Sequence, residues 1–489
     1  MKNIFIKTAS LCLLLTTLFS CTDYVDDMNV DPDNLTDADA RNLFQGVLLA
    51  NQFFQTSSNT REIMIWLNQA NGENRQYIAL NDWNTSTASG FDDSWNNAYV
   101  NCIAQAKLTQ LKAGQEVNPN LKGAAQVIEA HCMGTVTSLW GDAPYSELDI
   151  TGQNLTPKYD AQATIYSNIQ TLLDQAIVNL NSTLGKGIPS DKDIYYAGDA
   201  SKWIKLAYSL KAKFYLHVKD YPKAKANALL GIDNADDDFK AKFGNASYQD
   251  FNPFYSFLVY DRDDYMSGDS YAARLLDPSA ALYRGNAKTD ESARYAFTYN
   301  EEYFSPYGLN IYSTDYFSPD PITEMEKGKF GSDSPMPMVT YGEMLLIIAE
   351  SDARTSFATG LTSYNNYRAL LNTGYSIGVI NAGYDSETFS YAAYTALDFA
   401  PTGMENVSGT LTAQNALLRE IFQERYIYFM GNYESFNDFG RSNNMAGIQL
   451  KPGNAGTPER FLYPQVEINA NPNTPSPIPT MVTKTPVHN

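Results

Sequence analysis

Trp203, Leu206, Ala207, Leu210, Phe214 and Val218 stand three or four residues apart, so on a turn of 3.6 residues they share one side of a helix. Such a stripe is stable only when other helices cover it. The same spacing recurs along the chain. Leu43, Phe44, Val47, Leu48 and Asn51 mark an opening helix, and Trp95, Ala98, Tyr99, Cys102, Ile103 and Ala106 mark one over 93–112. Helices follow from about Leu121 to Leu139 and from about Ala161 to Leu180, and Pro222 starts a short one reaching about Ile232. Met344, Leu345, Ile348 and Ala349 place a helix on 340–357, Tyr364 to Leu371 suggest another, and Leu417, Leu418, Ile421, Phe422 and Phe429 mark one on 413–430. The pattern predicts a mainly α protein of paired antiparallel helices.

Between the stripes lie stretches rich in Gly, Asp, Tyr and Pro: 56–92, 181–200, 240–338 and 373–411. They are long for structureless loops, so short strands and helices are expected within them, together with functional surface. No fixed-period repeat stands out, although stacked helical hairpins of the tetratricopeptide kind can diverge beyond recognition by eye. The tail from Ala470 to Asn489 carries five prolines and reads as extended and turn-rich.

The N-terminus has its own logic. Lys2 and Lys7 precede an apolar run, Leu11 to Phe19, that is too short to span a bilayer as a permanent helix and reads as a secretion signal over 1–20. The run stops at Leu18-Phe19-Ser20-Cys21, which resembles a bacterial lipobox, so Cys21 is the expected lipid attachment point; Phe19 departs mildly from that pattern. Residues 21–40 are polar and acidic, a tether, and residues 41–489 are expected to form one domain. Asp31-Pro32-Asp33 lacks the glycine and the closing glutamate of a calcium loop, so no metal is expected there. A formal charge of −20 repels phosphate backbones and argues against nucleic acid as a partner. Cys102 and Cys132 read as core thiols.

The chain holds 34 Tyr, 24 Phe and 5 Trp with only 18% charged residues, more aromatic surface than a core alone absorbs. Tyr and Trp pair an apolar face with a polar edge, which suits stacking on sugar rings or packing against peptide side chains. In the loop stretches aromatics stand among hydrogen-bonding residues at Trp66, Asn71, Arg75, Tyr77 and Trp83, and again at Tyr260, Arg262, Asp264 and Tyr265. These are the ligand-binding candidates; for each of them, packing in the core or loop is the competing reading.

Catalytic signatures are weak. There are three histidines, and no HExxH, GxSxG or phosphate-cradling GxxxxGK pattern occurs. A glycosidase needs only two carboxylates, which 55 acidic residues cannot exclude. Glu420 and Glu424 share a helix face, but beside Arg419 and Arg425 they are expected to form surface ion pairs. No cofactor is implied.

Several peptides then recur in a familiar order. Thr137-Ser138-Leu139-Trp140-Gly141-Asp142-Ala143-Pro144-Tyr145-Ser146-Glu147 is followed by Thr156-Pro157-Lys158-Tyr159-Asp160 and by Gly198-Asp199-Ala200-Ser201-Lys202-Trp203. Met338-Val339-Thr340-Tyr341-Gly342-Glu343 runs into Ala349-Glu350, and Glu434-Ser435-Phe436-Asn437-Asp438-Phe439-Gly440-Arg441 precedes Arg460-Phe461-Leu462-Tyr463-Pro464. Together they resemble the SusD/RagB family over nearly the whole mature chain. Physically they are structural: Gly141 and Pro144 end a helix, and Asp199 or Ser201 caps the next. The resemblance implies a tetratricopeptide-like helical scaffold with a loop-rich, ligand-facing region. It further implies a non-catalytic lipoprotein on the outer membrane, facing the cell exterior, that captures oligosaccharide or peptide for a SusC-like TonB-dependent transporter. A glycan-cleaving surface hydrolase and a surface scaffold without a small ligand remain the alternatives. This chain lacks the Trp-Trp pair near which many family members end.

Overall fold

The computed structural model describes residues 38–150, 152–244, 250–300, 305–311, 328–377, 388–451 and 456–488. The signal segment, Cys21 and all but the last residues of the tether lie outside them. The residues from Ala40 onward form one compact unit.

The helical stripes fold as their spacing dictates. The helices of eight residues or more are α1 (Ala40–Gln55), α2 (Ser58–Trp66), α3 (Ala104–Gln115), α4 (Pro119–Trp140), α5 (Gln162–Leu180), α6 (Ala200–His217), α7 (Tyr221–Ala228), α8 (Tyr341–Thr355), α9 (Phe357–Leu371), α10 (Ala413–Tyr428) and α11 (Tyr433–Ser442). From α3 to α10 each packs against the next, so the chain lays down a continuous row of helix pairs, the tetratricopeptide-like scaffold expected of it. The row is uninterrupted in space although not in sequence: residues 229–340 leave after α7 and return to start α8 beside it.

Local chemistry sets the helix ends. Asn118, Asp199, Asp220, Thr340 and Thr412 each accept a backbone N–H one turn into α4, α6, α7, α8 and α10, and α4 and α7 carry proline in the first turn. Of the two caps the sequence offered for α6, Asp199 is the one used. Gly141 ends α4 with φ +82°, a conformation that costs a side-chain-bearing residue free energy. Gly134 in α4 lies so close to the α6 ring of Phe214 that an added Cβ would meet it at 2.0 Å, which fixes how closely these helices cross.

Two apolar cores result, and α8 faces both. Met344 and Ile347 point into the larger one, with Trp66, Trp140 and Trp203, while Leu346, Ala349 and Ala353 join Tyr364, Tyr367, Tyr394, Phe399 and Ile421 in the smaller. Cys102 and Cys132 are free thiols in the larger core. The helix expected over 93–112 is present in three parts, since Asn97–Ile103 winds as a π-helix between Asp92–Asn96 and α3.

In the stretch 56–92, α2 is one of the short helices expected there, and it buries Ile63, Met64, Ile65 and Trp66. One sequence expectation requires correction. Glu420 and Glu424 are not in surface ion pairs with Arg419 and Arg425. Both are buried, and their partners come from the 229–340 insertion: Arg284 Nη2 lies 2.8 Å from Glu420, and Arg284 Nη1 and Arg294 Nη1 lie 2.9 and 3.0 Å from Glu424. Arg425 instead holds Asp438 through two bonds of 2.7 and 3.0 Å. Spacing along one helix shows only that helix's own neighbours, and here the opposing element supplies the charge.

Candidate ligand-binding site

The recurrent peptides meet one another rather than a cleft. Trp140 donates its indole N–H to the carbonyl of Leu462 at 2.8 Å, Tyr463 donates to the carbonyl of Asp142 at 2.7 Å, and Arg460 donates to the carbonyl of Trp140. Asp142 in turn accepts from the backbone of Gln162 at 2.8 Å at the start of α5. Arg441 grips Glu350 through 2.7 and 2.6 Å bonds, so the peptides of α8 and α11 are also joined. Against the cost of burial, Arg441 holds the Glu350 carboxyl down at about 2.

The loop candidates divide into two groups. Trp66 and Trp83 are enclosed, at 0% and 1% exposure. Trp66 packs on Phe91, Phe436 and Phe461 with centroids 5.8 to 6.5 Å apart, which leaves no ring face for a ligand. Each lies at the end of a helix or 3-10 turn, where its large apolar area is most stably buried inward.

The remaining candidates converge. Asn71–Gly72 pairs antiparallel with Met266–Ser267, and Glu73 N–H extends the pairing to the Tyr265 carbonyl at 2.9 Å. Two stretches almost 200 residues apart in sequence thus share one edge (Glu73 to Ser267, a separation of 194). Gly72 permits this, because a Cβ there would lie 1.8 Å from the Tyr77 carbonyl oxygen. Tyr77 rests against Phe257 at 4.9 Å and Tyr265 at 5.7 Å. Arg61 stacks over Phe257 at 4.3 Å and Arg262 over Tyr265 at 5.9 Å. Arg75, Arg262 and Asp264 are exposed, whereas Tyr265 and Asn71 are half-buried.

Two of these positions carry backbone strain: Arg75 has φ 48° and ψ −129°, and Asp264 has φ 59°. Tyr260 belongs to a neighbouring group, stacked on Phe251 at 5.6 Å with Tyr255 at its edge. Phe257–Asp261, which links the two aromatic groups, winds as a π-helix, a widened turn often found where function outweighs helical regularity.

Lys451 anchors this surface from behind. Its ammonium donates to the carbonyl of Ala70 at 2.9 Å, to Asn71 Oδ1 at 2.7 Å and to Asn81, and Asn81 also brackets Gly72 through both its amide atoms. Burial pulls the Lys451 amine down to about 7. Sequence reading missed Arg61, Phe257 and Lys451. The run Phe254-Tyr255-Ser256-Phe257 carried a visible aromatic signal, but nothing local marks Arg61 or Lys451.

A family model described as starch-binding and associating with the outer membrane matches residues 32–464. The chain belongs to the SusD-like family. It is a family of nutrient-binding proteins that associate with the outer membrane. Solved structures agree on the fold. A SusD/RagB family protein from Bacteroides thetaiotaomicron is 23% identical, with 89% of this chain and 95% of that one covered and a TM-score of 0.64. A SusD homologue from Bacteroides fragilis is 15% identical over 92% and 100% of the two chains, also with a TM-score of 0.64. A chitin-binding SusD homologue from Flavobacterium johnsoniae is 14% identical over 88% and 93%, with a TM-score of 0.57. No curated protein matches the chain in sequence. No helix among the described residues is long and apolar enough to cross a membrane.

Within this SusD-like fold, Glu424 and Glu405 are buried carboxylates held by neighbouring groups. Against burial, Arg294 and Arg284 hold Glu424 down at about 2. Glu405 is pushed up to about 7 by burial and by Glu420, yet it accepts from Asn286 at 2.7 Å and Tyr394 at 2.5 Å inside the smaller core. No group of three or more His, Cys, Asp or Glu side chains among the described residues converges as a metal site.

Proposed function

We propose that this protein captures an oligosaccharide on the surface built by 71–77 and 257–267 and passes it unchanged to a SusC-like TonB-dependent transporter. It is held at the outer membrane, facing the exterior, by a lipid on Cys21. The convergence of Asn71, Arg75 and Tyr77 with Arg262, Asp264 and Tyr265 carries this reading: the half-buried Tyr265 ring, backed by the buried Tyr77, stands beside polar groups able to fix orientation. Family membership supports the cargo class, and the occupied carboxylates support capture without cleavage. Tyr265 and Tyr260 are the stacking residues of this surface; Arg75, Arg262 and Asn71 are its polar contacts.

The test is calorimetry and affinity electrophoresis of the lipid-free protein against glycans and peptides, with product analysis of each mixture. Saturable glycan binding without new products, weakened by Tyr265→Ala in a folded protein, supports the proposal. Cleavage of the glycan, or binding of peptides alone, refutes it.

A further inference from the structure

We infer that the captured oligosaccharide carries carboxylates, and that Arg61, Arg75 and Arg262 form the part of the site that recognises a uronic acid. The inference rests on the capture function proposed above and specifies its cargo.

The chain carries 55 acidic against 35 basic residues, so acidic partners for an arginine are plentiful in it. Among the described residues, Arg41, Arg274, Arg284, Arg294, Arg354, Arg425 and Arg441 are in ion pairs. Arg368, Arg419 and Arg460 are tied to backbone carbonyls of distant segments. Arg61, Arg75 and Arg262 remain; Arg61 and Arg262 lie over rings of the aromatic triad of Tyr77, Phe257 and Tyr265, and Arg75 is exposed on the turn that leads into Tyr77. Arg75 stands two residues before Tyr77 in its strained conformation.

The Arg61 guanidinium lies over the Phe257 ring at 4.3 Å, and that of Arg262 lies over Tyr265 at a longer 5.9 Å. A stacked guanidinium is held in place by its plane and keeps the N–H groups along its edge for a second partner. Arg61 uses only Nε, in a 3.5 Å contact to the Tyr77 hydroxyl, and Arg262 uses Nη1, donating to the carbonyl of Asp261 at 2.6 Å. The planar fork that remains matches a carboxylate in two-point geometry, which a neutral hydroxyl cannot reproduce.

None of the acids around the triad forms an ion pair with these arginines, although Glu62 lies within electrostatic reach of Arg61. Glu73 accepts from Asn71 at 2.7 Å and from Ser267, Asp269 pairs with Arg274 at 2.5 Å, and Glu62 accepts from Asn59 at 2.9 Å. Burial raises the Glu62 carboxyl to about 7, which lessens its charge beside Arg61. Asp261, Asp263 and Asp264 are exposed on the Arg262 loop and pair with none of the three. They offset the net charge, so selection arises from directed hydrogen bonds rather than from long-range attraction.

The experiment is calorimetry of the lipid-free protein with oligogalacturonate, alginate and hyaluronan fragments, each beside its carboxyl-reduced, neutral counterpart, with starch and chitin oligosaccharides alongside. At least one acidic fragment is expected to bind about tenfold or more tightly than its reduced form. Arg262→Gln and Arg61→Met should each weaken the acidic fragment more than its reduced form and so remove most of that difference. The double substitution Asp263→Asn with Asp264→Asn should tighten the acidic fragment. Equal affinity for acidic and reduced forms, or tight binding of starch or chitin alone, overturns the inference while leaving capture in place. Polyglutamate binding more tightly than any uronate also overturns it, and failure to bind any saccharide removes both it and the function on which it rests.

Discussion

The indole N–H of Trp140 bonds the carbonyl of Leu462 across 322 residues of sequence, whereas the indole N–H of Trp66, packed on the same Phe461 ring, meets no acceptor. Trp140→Phe therefore leaves a buried carbonyl unpaired and is expected to cost roughly 1–3 kcal/mol, while Trp66→Phe forfeits only packing and should cost less. Urea unfolding of the two variants gives the comparison, and equal losses would contradict the assignment.

Truncation separates core from site. Trp66→Ala should destabilise by roughly 3–5 kcal/mol because it opens a large cavity. Tyr265→Ala, at the half-buried edge, should weaken glycan binding with much less effect on the unfolding midpoint. Thermal melts together with affinity electrophoresis resolve the two outcomes.

Arg441→Met leaves the buried Glu350 with only the partly exposed Arg354, 3.3 Å away, as an ion-pair partner, and the expected loss approaches roughly 3–5 kcal/mol. The double variant that also carries Glu350→Leu should recover part of that loss, since the Glu350 carboxylate is then no longer buried without Arg441, and Asp438 keeps Arg425. A double-mutant cycle in guanidinium chloride measures the coupling, and purely additive losses would argue against the pair.

The pH profile of stability follows from two sets of carboxyls. Glu350 and Glu424 sit near 2 in the folded chain against an ordinary value of 4.5, so their stabilisation is complete above 4.5 and is lost as pH falls toward 2. Glu343 and Glu405 are raised to about 7 by burial, so in the folded chain they take up protons that the unfolded chain releases, and their contribution fades as pH climbs from 4.5 through 7. The contribution of these four groups should therefore peak near pH 4.5 and decline toward pH 7. Denaturation midpoints across pH 3–9 test this, and a maximum above pH 8 would contradict it.

The helices were legible because the periodicity of an amphipathic segment is a local property. Trp203 to Val218 had to be helical, Asp199 and Pro222 had to stand at helix starts, and Gly141 with Pro144 had to end one. The site was legible only in part: the polar and tyrosine candidates of two separate loops did meet, through a ladder no local pattern announces. Trp66 and Trp83 misled because an aromatic in a loop-like stretch has the same sequence appearance whether it faces outward or inward.

By itself the sequence determined the helical scaffold, the family and the identity of the peptides that lock it, because caps, breakers and apolar spacing act within a turn or two of chain. Tertiary structure alone decided the partners of buried charge and the convergence of the candidate surface. Glu420 and Glu424 found Arg284 and Arg294 across more than 100 residues, and Arg61 found Phe257 across a similar gap. In a desolvated interior each charge needs a partner, and which one it meets is set by the packing of whole helices rather than by neighbours in sequence.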